Sequence, residues 1–183
     1  MNILTVVVAS VVLVLSALVV FRKVARDYQQ QGRLTGLSSF LEVFIFFWHG
    51  VGSAFFVTAD WQPIETRHWI FWVAVSCLAM GLVLVLIAMS RLGMRQSVGQ
   101  DVSGLQVAGL YRYTRNPQIV AYALVVIGYA LLWPAWSGLI WVAIYGLMAH
   151  LMVSTEEAHL QRVYGAEYER YCARVPRYVG PLA

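Results

Sequence analysis

The stretch ILTVVVASVVLVLSALVVF, Ile3 to Phe21, carries no charge, and Arg22, Lys23 and Arg26 follow it at once. It comes close to the roughly 20 apolar residues that an α-helix needs to cross a hydrocarbon core about 30 Å thick. A cleaved signal peptide has its basic residues before the apolar run and small residues after it, the reverse of the order here. The segment therefore reads as a retained membrane helix with its N-terminus outside.

The rest of the chain continues in the same manner. Of its 183 residues 60% are hydrophobic and only 12% charged, far too apolar a mixture for a soluble domain. Further apolar runs extend from about Leu37 to Thr58, Trp69 to Ser90, Pro117 to Trp133 and, after a turn at Pro134, Trp136 to Val153. Backbone polar groups cannot stay unpaired in lipid, so helices are the expected form. The expected fold is all-α and polytopic, one membrane domain over residues 1–183 with about five transmembrane helices. Three spans occupy 1–90, and the segment 91–183 contains a two-helix hairpin whose members are near the lower length limit for a full span.

With five spans the loops alternate sides, and the charges then sort. Arg22, Lys23, Arg26, Arg33, Arg91, Arg95, Arg112, Arg115, Arg162, Arg170, Arg174 and Arg177 fall on one side, while the loop with Asp60, Pro63 and Glu65 places Arg67 alone on the other. Positive residues stay on the cytoplasmic side, which puts the N-terminus out and the C-terminus in. The net charge of +4 follows from that orientation signal and not from a nucleic-acid-binding face. Trp48, Trp61, Trp69, Trp72, Trp133 and Trp136 lie mostly near span ends, as interfacial aromatic belts do. Cys77 and Cys172 are too few and too separated for a disulfide framework.

Polar material concentrates in two pieces, Arg91 to Asn116 and Ser154 to Tyr178, which the hairpin brings to the same membrane face. The first ends in GLYRYTRNP, Gly109 to Pro117, where Asn116 reads as a helix N-cap and Pro117 as the first helical residue. Free N–H groups there, with Arg112 and Arg115, could seat a carboxylate or phosphate; the arginines could equally be membrane anchors. The second piece begins with Glu156 and Glu157, which sit about 100° apart on a helix, so that only one faces a given site. Tyr164, Tyr168 and Tyr171 share a helical face further on, a stripe that suits packing or an interface. Within the second span Ser38, Glu42, His49 and Ser53 lie within about 60° of one another, a polar stripe facing either neighbouring helices or a substrate tunnel.

Taken together, GLYRYTRNP, a two-span hairpin, the glutamate pair and YGAEYERYCARVPRY make a combination far more specific than its parts. It resembles the isoprenylcysteine carboxyl methyltransferase and phospholipid methyltransferase family over roughly Arg91 to Tyr178, with Arg91 to Gly93 similar to the family's lead-in. The resemblance implies S-adenosylmethionine as cofactor, in a cytosol-facing pocket made by the loop before the fourth span and the C-terminal tail. It implies Tyr113, Arg115, Asn116, Pro117, Glu156, Glu157, Tyr168 and Tyr171 as cofactor-binding residues, and Arg115, Glu157 and Arg174 as catalytic ones. Arginine and helix-start N–H groups suit a carboxylate. A glutamate suits ribose hydroxyls or the sulfonium charge, and a tyrosine face suits the cation.

The implied partner is a membrane lipid or lipid-attached acceptor; no metal site and no nucleic acid enter. His150 and His159 flank the glutamates and read as surface or packing residues. Three positions depart from the family pattern, which often has His at Asn116, an aromatic at Ile119 and glycine at Ala121. Two other readings compete. The wording Tyr171-Cys172…Val175-Pro176 is also similar to membrane sterol reductases, which use a phosphorylated nicotinamide. A scaffold that keeps the fold without activity is the third.

Overall fold

The structure is a computed structural model that describes residues 3–56, 63–92 and 104–181. Asp60, Trp61, Gly93 and Arg95 lie outside the described residues, and so does the side chain of Arg91. Six α-helices follow one another: α1 (Ile3–Gln31), α2 (Gly36–Phe56), α3 (Trp69–Leu92), α4 (Pro117–Leu132), α5 (Trp136–Tyr164) and α6 (Ala166–Arg174). One turn of tighter helix, Gly109–Arg112, precedes α4.

The chain is all-α and membrane-spanning, but three helices rather than about five are long and apolar enough to cross a bilayer among the described residues: α1, α3 and α5. Of the two expected spans outside that set, α4 has 16 residues and is only about 24 Å long. The other, α2, carries the buried polar residues Ser38, Ser39, Glu42 and His49 within an otherwise apolar run.

In the fifth expected span the helix does not stop at Val153. It continues to Tyr164, because Glu156, Glu157, Gln161 and Arg162 are good helix formers and no breaker intervenes before Gly165. At 29 residues α5 is about 43 Å long, so one end projects beyond a hydrocarbon core of about 30 Å. Gly165 then turns the chain with φ +48°, a backbone conformation that side chains resist, and α6 leaves at a new angle.

The central element is α5. One face packs on α1, where Leu13, Ala17 and Phe21 interlock with Trp141, Ile144 and Met148, and Ile45 of α2 joins them. The α1–α2 turn is closed by Asp27, which is buried and accepts from Lys23 (3.2 Å), the Thr35 amide (3.1 Å) and the Thr35 hydroxyl. Thr35 in turn caps α2 through the Ser38 amide.

The most extensive helix pair is α3 with α4, not the α4–α5 hairpin. Small residues explain it: a Cβ on Gly81 would lie 2.7 Å from the Ala121 carbonyl, and one on Gly128 2.8 Å from that of Ala74. Ala121, fully buried in this seam, thus faces a glycine on the partner helix. The loop before α3 is pinned to the same pair, since the Ile64 amide donates to the last carbonyl of α4, Leu132 (2.9 Å).

Candidate functional site

The loop before α4 and the tail after α6 are zipped together by backbone and amide groups. The Arg115 amide donates to the Pro176 carbonyl (3.0 Å), while Thr114 Oγ1 (3.2 Å) and Asn116 Nδ2 (2.9 Å) both donate to the Arg177 carbonyl. Asn116 occupies the N-cap position, but its side chain is engaged by the tail and makes no capping bond. The first N–H groups of α4 therefore have no side-chain cap. One turn upstream, Tyr171 of α6 donates to the Tyr111 carbonyl (2.7 Å), which fastens α6 to the same loop.

Over this frame lies an ion-pair cluster. Glu157 projects from α5 between Arg115 at 3.0 Å and Arg177, with 12% of its side chain exposed against 14% and 41% for the two arginines. The hydrogen bond from Arg177 to Glu157 raises the guanidinium pKa further above its usual value. Arg115 also rests against the Cys172 sulfur (2.6 Å). Burial pushes the Tyr168 and Tyr171 hydroxyls well above the ordinary phenol range, so both rings stay neutral donors beneath the cluster.

Glu156 turns the other way. Its charge reaches Tyr28 of α1, Glu42 of α2 and Tyr111, so it faces the bundle interior. Burial, with Glu156 as the next cause, raises the Tyr111 hydroxyl as well. Among the described residues no hydrogen bond or ion pair engages the Glu156 carboxylate. One turn on, buried His159 stacks on Tyr28 with centroids 4.2 Å apart at 14°, and its Nε2 has no partner. Arg115 Nε and Gln118 Nε2, at the start of α4, are likewise buried and unpartnered. Among the described residues there is no cluster of three or more His, Cys, Asp or Glu able to hold a metal.

Of the residues expected from the sequence, Arg115, Asn116, Pro117, Glu156, Glu157, Tyr168 and Tyr171 are brought together. Two are not. Tyr113 is 64% exposed, and Tyr111 takes the inward position. Arg174 is exposed and donates to the Arg170 carbonyl (3.2 Å), while Arg177 reaches Glu157. Tyr28, Glu42 and Arg177 join the site without a motif to announce them. Glu42 alone had a signal, as a charged residue within an apolar run.

The family model described as phospholipid methyltransferase matches residues 69–167, from the first residue of α3 into the first turn of α6. That is more than half of the chain, and it holds both the Arg115 loop and the glutamate pair. The chain belongs to the phospholipid methyltransferase family. No curated protein and no solved structure matches it. Membership makes it an S-adenosylmethionine-dependent methyltransferase with S-adenosylmethionine as its cofactor.

The residues present fit that molecule. Unpartnered donors on Arg115 and Gln118 beside uncapped helix N–H groups suit its carboxylate. The unpaired acceptor Glu156 suits its hydroxyls or its positive sulfur. Within the family match, α1 and α2 are absent, yet Tyr28 and Glu42 come from them.

Proposed function

We propose that this protein transfers the methyl group of S-adenosylmethionine to a lipid-dissolved or lipid-attached acceptor at the cytosolic membrane face. The observation that carries the reading is the division of labour between adjacent carboxylates: Glu157 is neutralised by two arginines, and among the described residues no hydrogen bond or ion pair engages Glu156. Arg115, Gln118 and the α4 start would hold the cofactor's carboxylate, and Glu156 its ribose or sulfonium. The cofactor supplies a methyl group already activated on a sulfonium sulfur.

The protein's own task is then alignment and the exclusion of water, which need neither a triad nor a metal. Glu157 with Arg115 and Arg177 is a positioning assembly that locks loop to tail. A cavity of about 220 Å³ adjoins Tyr111, bounded by Ile87 and Ala88 of α3, by Gln106 and by Ala108 to Leu110. Ile87 on that wall is itself 37% exposed, and the acceptor would enter past it from the lipid. Five passes, with α2 and α4 crossing as tilted or polar-lined helices, account for the segregation of arginines.

Isothermal calorimetry on the protein in lipid nanodiscs tests the reading. Saturable S-adenosylmethionine binding is expected, weakened in Arg115→Ala and in Glu156→Gln, with no binding of reduced phosphorylated nicotinamide. Labelled methyl should then pass from the cofactor into the lipid fraction of a membrane extract. Absence of binding by a monodisperse preparation sinks the assignment of these residues, and nicotinamide binding replaces it with the reductase. Orientation is tested separately: a Val179→Cys variant, at a position 84% exposed in the tail, should resist an impermeant thiol reagent in intact cells.

A further inference from the structure

The opposite end of α5 holds a second constellation. Counting along the helix from Glu157 back to Trp141 gives about 24 Å, most of the thickness of a hydrocarbon core. There α2, α4 and α5 enclose a cavity of about 200 Å³. Its walls are His49, Ser53, Tyr122, Tyr129, Gly138 and Trp141, together with aliphatic side chains, and they are mostly apolar.

The polar groups on that wall are held in fixed roles. His49 is 1% exposed, and its ring stacks on Trp141 with centroids 5.0 Å apart at 15°. Trp141 Nε1 donates to the His49 carbonyl (3.0 Å), and His49 Nε2 lies 3.1 Å from the Trp141 carbonyl. A carbonyl oxygen only accepts, so Nε2 carries the proton. In the uncharged ring, the form an apolar interior favours, Nδ1 is then an acceptor. Its nearest partner is the Tyr122 hydroxyl at 3.5 Å, the outer edge of hydrogen-bonding distance, and that hydroxyl lies nearer the Phe46 carbonyl (3.3 Å). Ser53 Oγ donates to the Gly50 carbonyl and keeps its lone pairs.

The cavity is closed toward the Glu157 end. Tyr122, Tyr145 and Phe46 meet edge to face, with centroids 5.3 to 6.3 Å apart, and Tyr145 is tied to the Ile119 carbonyl. Gly50 permits the approach, since a Cβ there would lie 2.9 Å from the Tyr122 hydroxyl. We infer that this cavity is a second binding site, separate from methyl transfer, for an apolar membrane-dissolved molecule bearing one hydroxyl group on a ring or chain end. The hydroxyl donates to His49 Nδ1, the Tyr122 proton stays on the Phe46 carbonyl, and the apolar body fills the space beside Tyr129 and Gly138. The volume is below that of a drug-sized pocket and matches a single ring system, not a whole lipid.

Fluorine NMR of the protein in nanodiscs tests this, with a fluorinated naphthol and fluoronaphthalene as a pair that differ only in the hydroxyl. Saturable binding is expected, with the naphthol several-fold tighter, as one extra buried hydrogen bond provides. Ala130→Phe, which projects a ring into the cavity without touching its polar groups, should abolish binding of both probes. His49→Phe keeps an aromatic ring to stack on Trp141 and should remove the preference for the naphthol. Saturating S-adenosylmethionine should leave binding unchanged. Equal affinity for the two probes, survival of binding in Ala130→Phe, or displacement by S-adenosylmethionine overturns the proposal. Equal affinity for the probes or survival of binding in Ala130→Phe leaves the methyl-transfer reading untouched, since its residues lie at the other end of α5.

Discussion

Two seams hold the bundle, and they are made of different material. Between α3 and α4 the contact is backbone to backbone, with Gly81 under Ala121 and Gly128 under Ala74. Between α1 and α5 the contact is side chain to side chain, with Leu13 and Phe21 interlocked with Ile144 and Met148. Lipid is as apolar as leucine, so neither seam draws on the hydrophobic effect that drives soluble cores; both rest on close packing. The difference lies in what can yield. Side chains change rotamer when a neighbour changes, whereas two helix backbones in contact can only separate.

That contrast orders the expected effects. Gly81→Leu should be the most damaging, at or above about 3 kcal/mol, the upper end for overpacking, because the obstructing atom is a main-chain carbonyl. Fluorescence-detected gel filtration should show loss of the monodisperse peak, and a normal peak with unchanged Tm would break the comparison. Met148→Ala, fully buried in the other seam, should cost about 2 kcal/mol, near the low end for such truncations since the transfer term is missing in lipid. It should lower the Tm while leaving the protein monodisperse.

The ion-pair cluster comes next. Glu157→Gln leaves Arg115 and Arg177 facing a neutral amide and should weaken S-adenosylmethionine binding roughly five- to tenfold, about 1 to 1.4 kcal/mol, by calorimetry. The smallest effect is expected for Arg174→Ala, an exposed side chain, with binding and Tm both unchanged. If Arg174→Ala were instead as harmful as Arg177→Ala, the tail would have to be arranged differently from the structure described.

The first five helices were legible because each is announced by a long apolar run, and the starts of α4 and α5 by Pro117 and by the turn at Pro134. The glutamate pair and the Arg115 loop were legible as a pattern of residue types. Which side chains face inward was not. In the tight turn Gly109–Arg112 there is no helical period to follow, so Tyr113 was as reasonable a choice as Tyr111. Beyond α6 the chain doubles back after Val175, and that reversal makes Arg177, not Arg174, the partner of Glu157. Asn116 looked like a cap because capping is local, but the competing acceptor lies 61 residues ahead. Tyr28 reaches the site only because α1 packs on α5, a long-range fact that no local spacing encodes.

The zipper between loop and tail also sets an order of assembly during synthesis. Arg115 and Asn116 emerge about sixty residues before the carbonyls of Pro176 and Arg177 that satisfy them. Throughout that interval α4 and α5 can enter the bilayer and the α3–α4 seam can close, while the loop polar groups rely on water. The proposed site is thus completed late, and a nascent chain already anchored in the membrane lacks the joined loop and tail until Pro176 and Arg177 fold back.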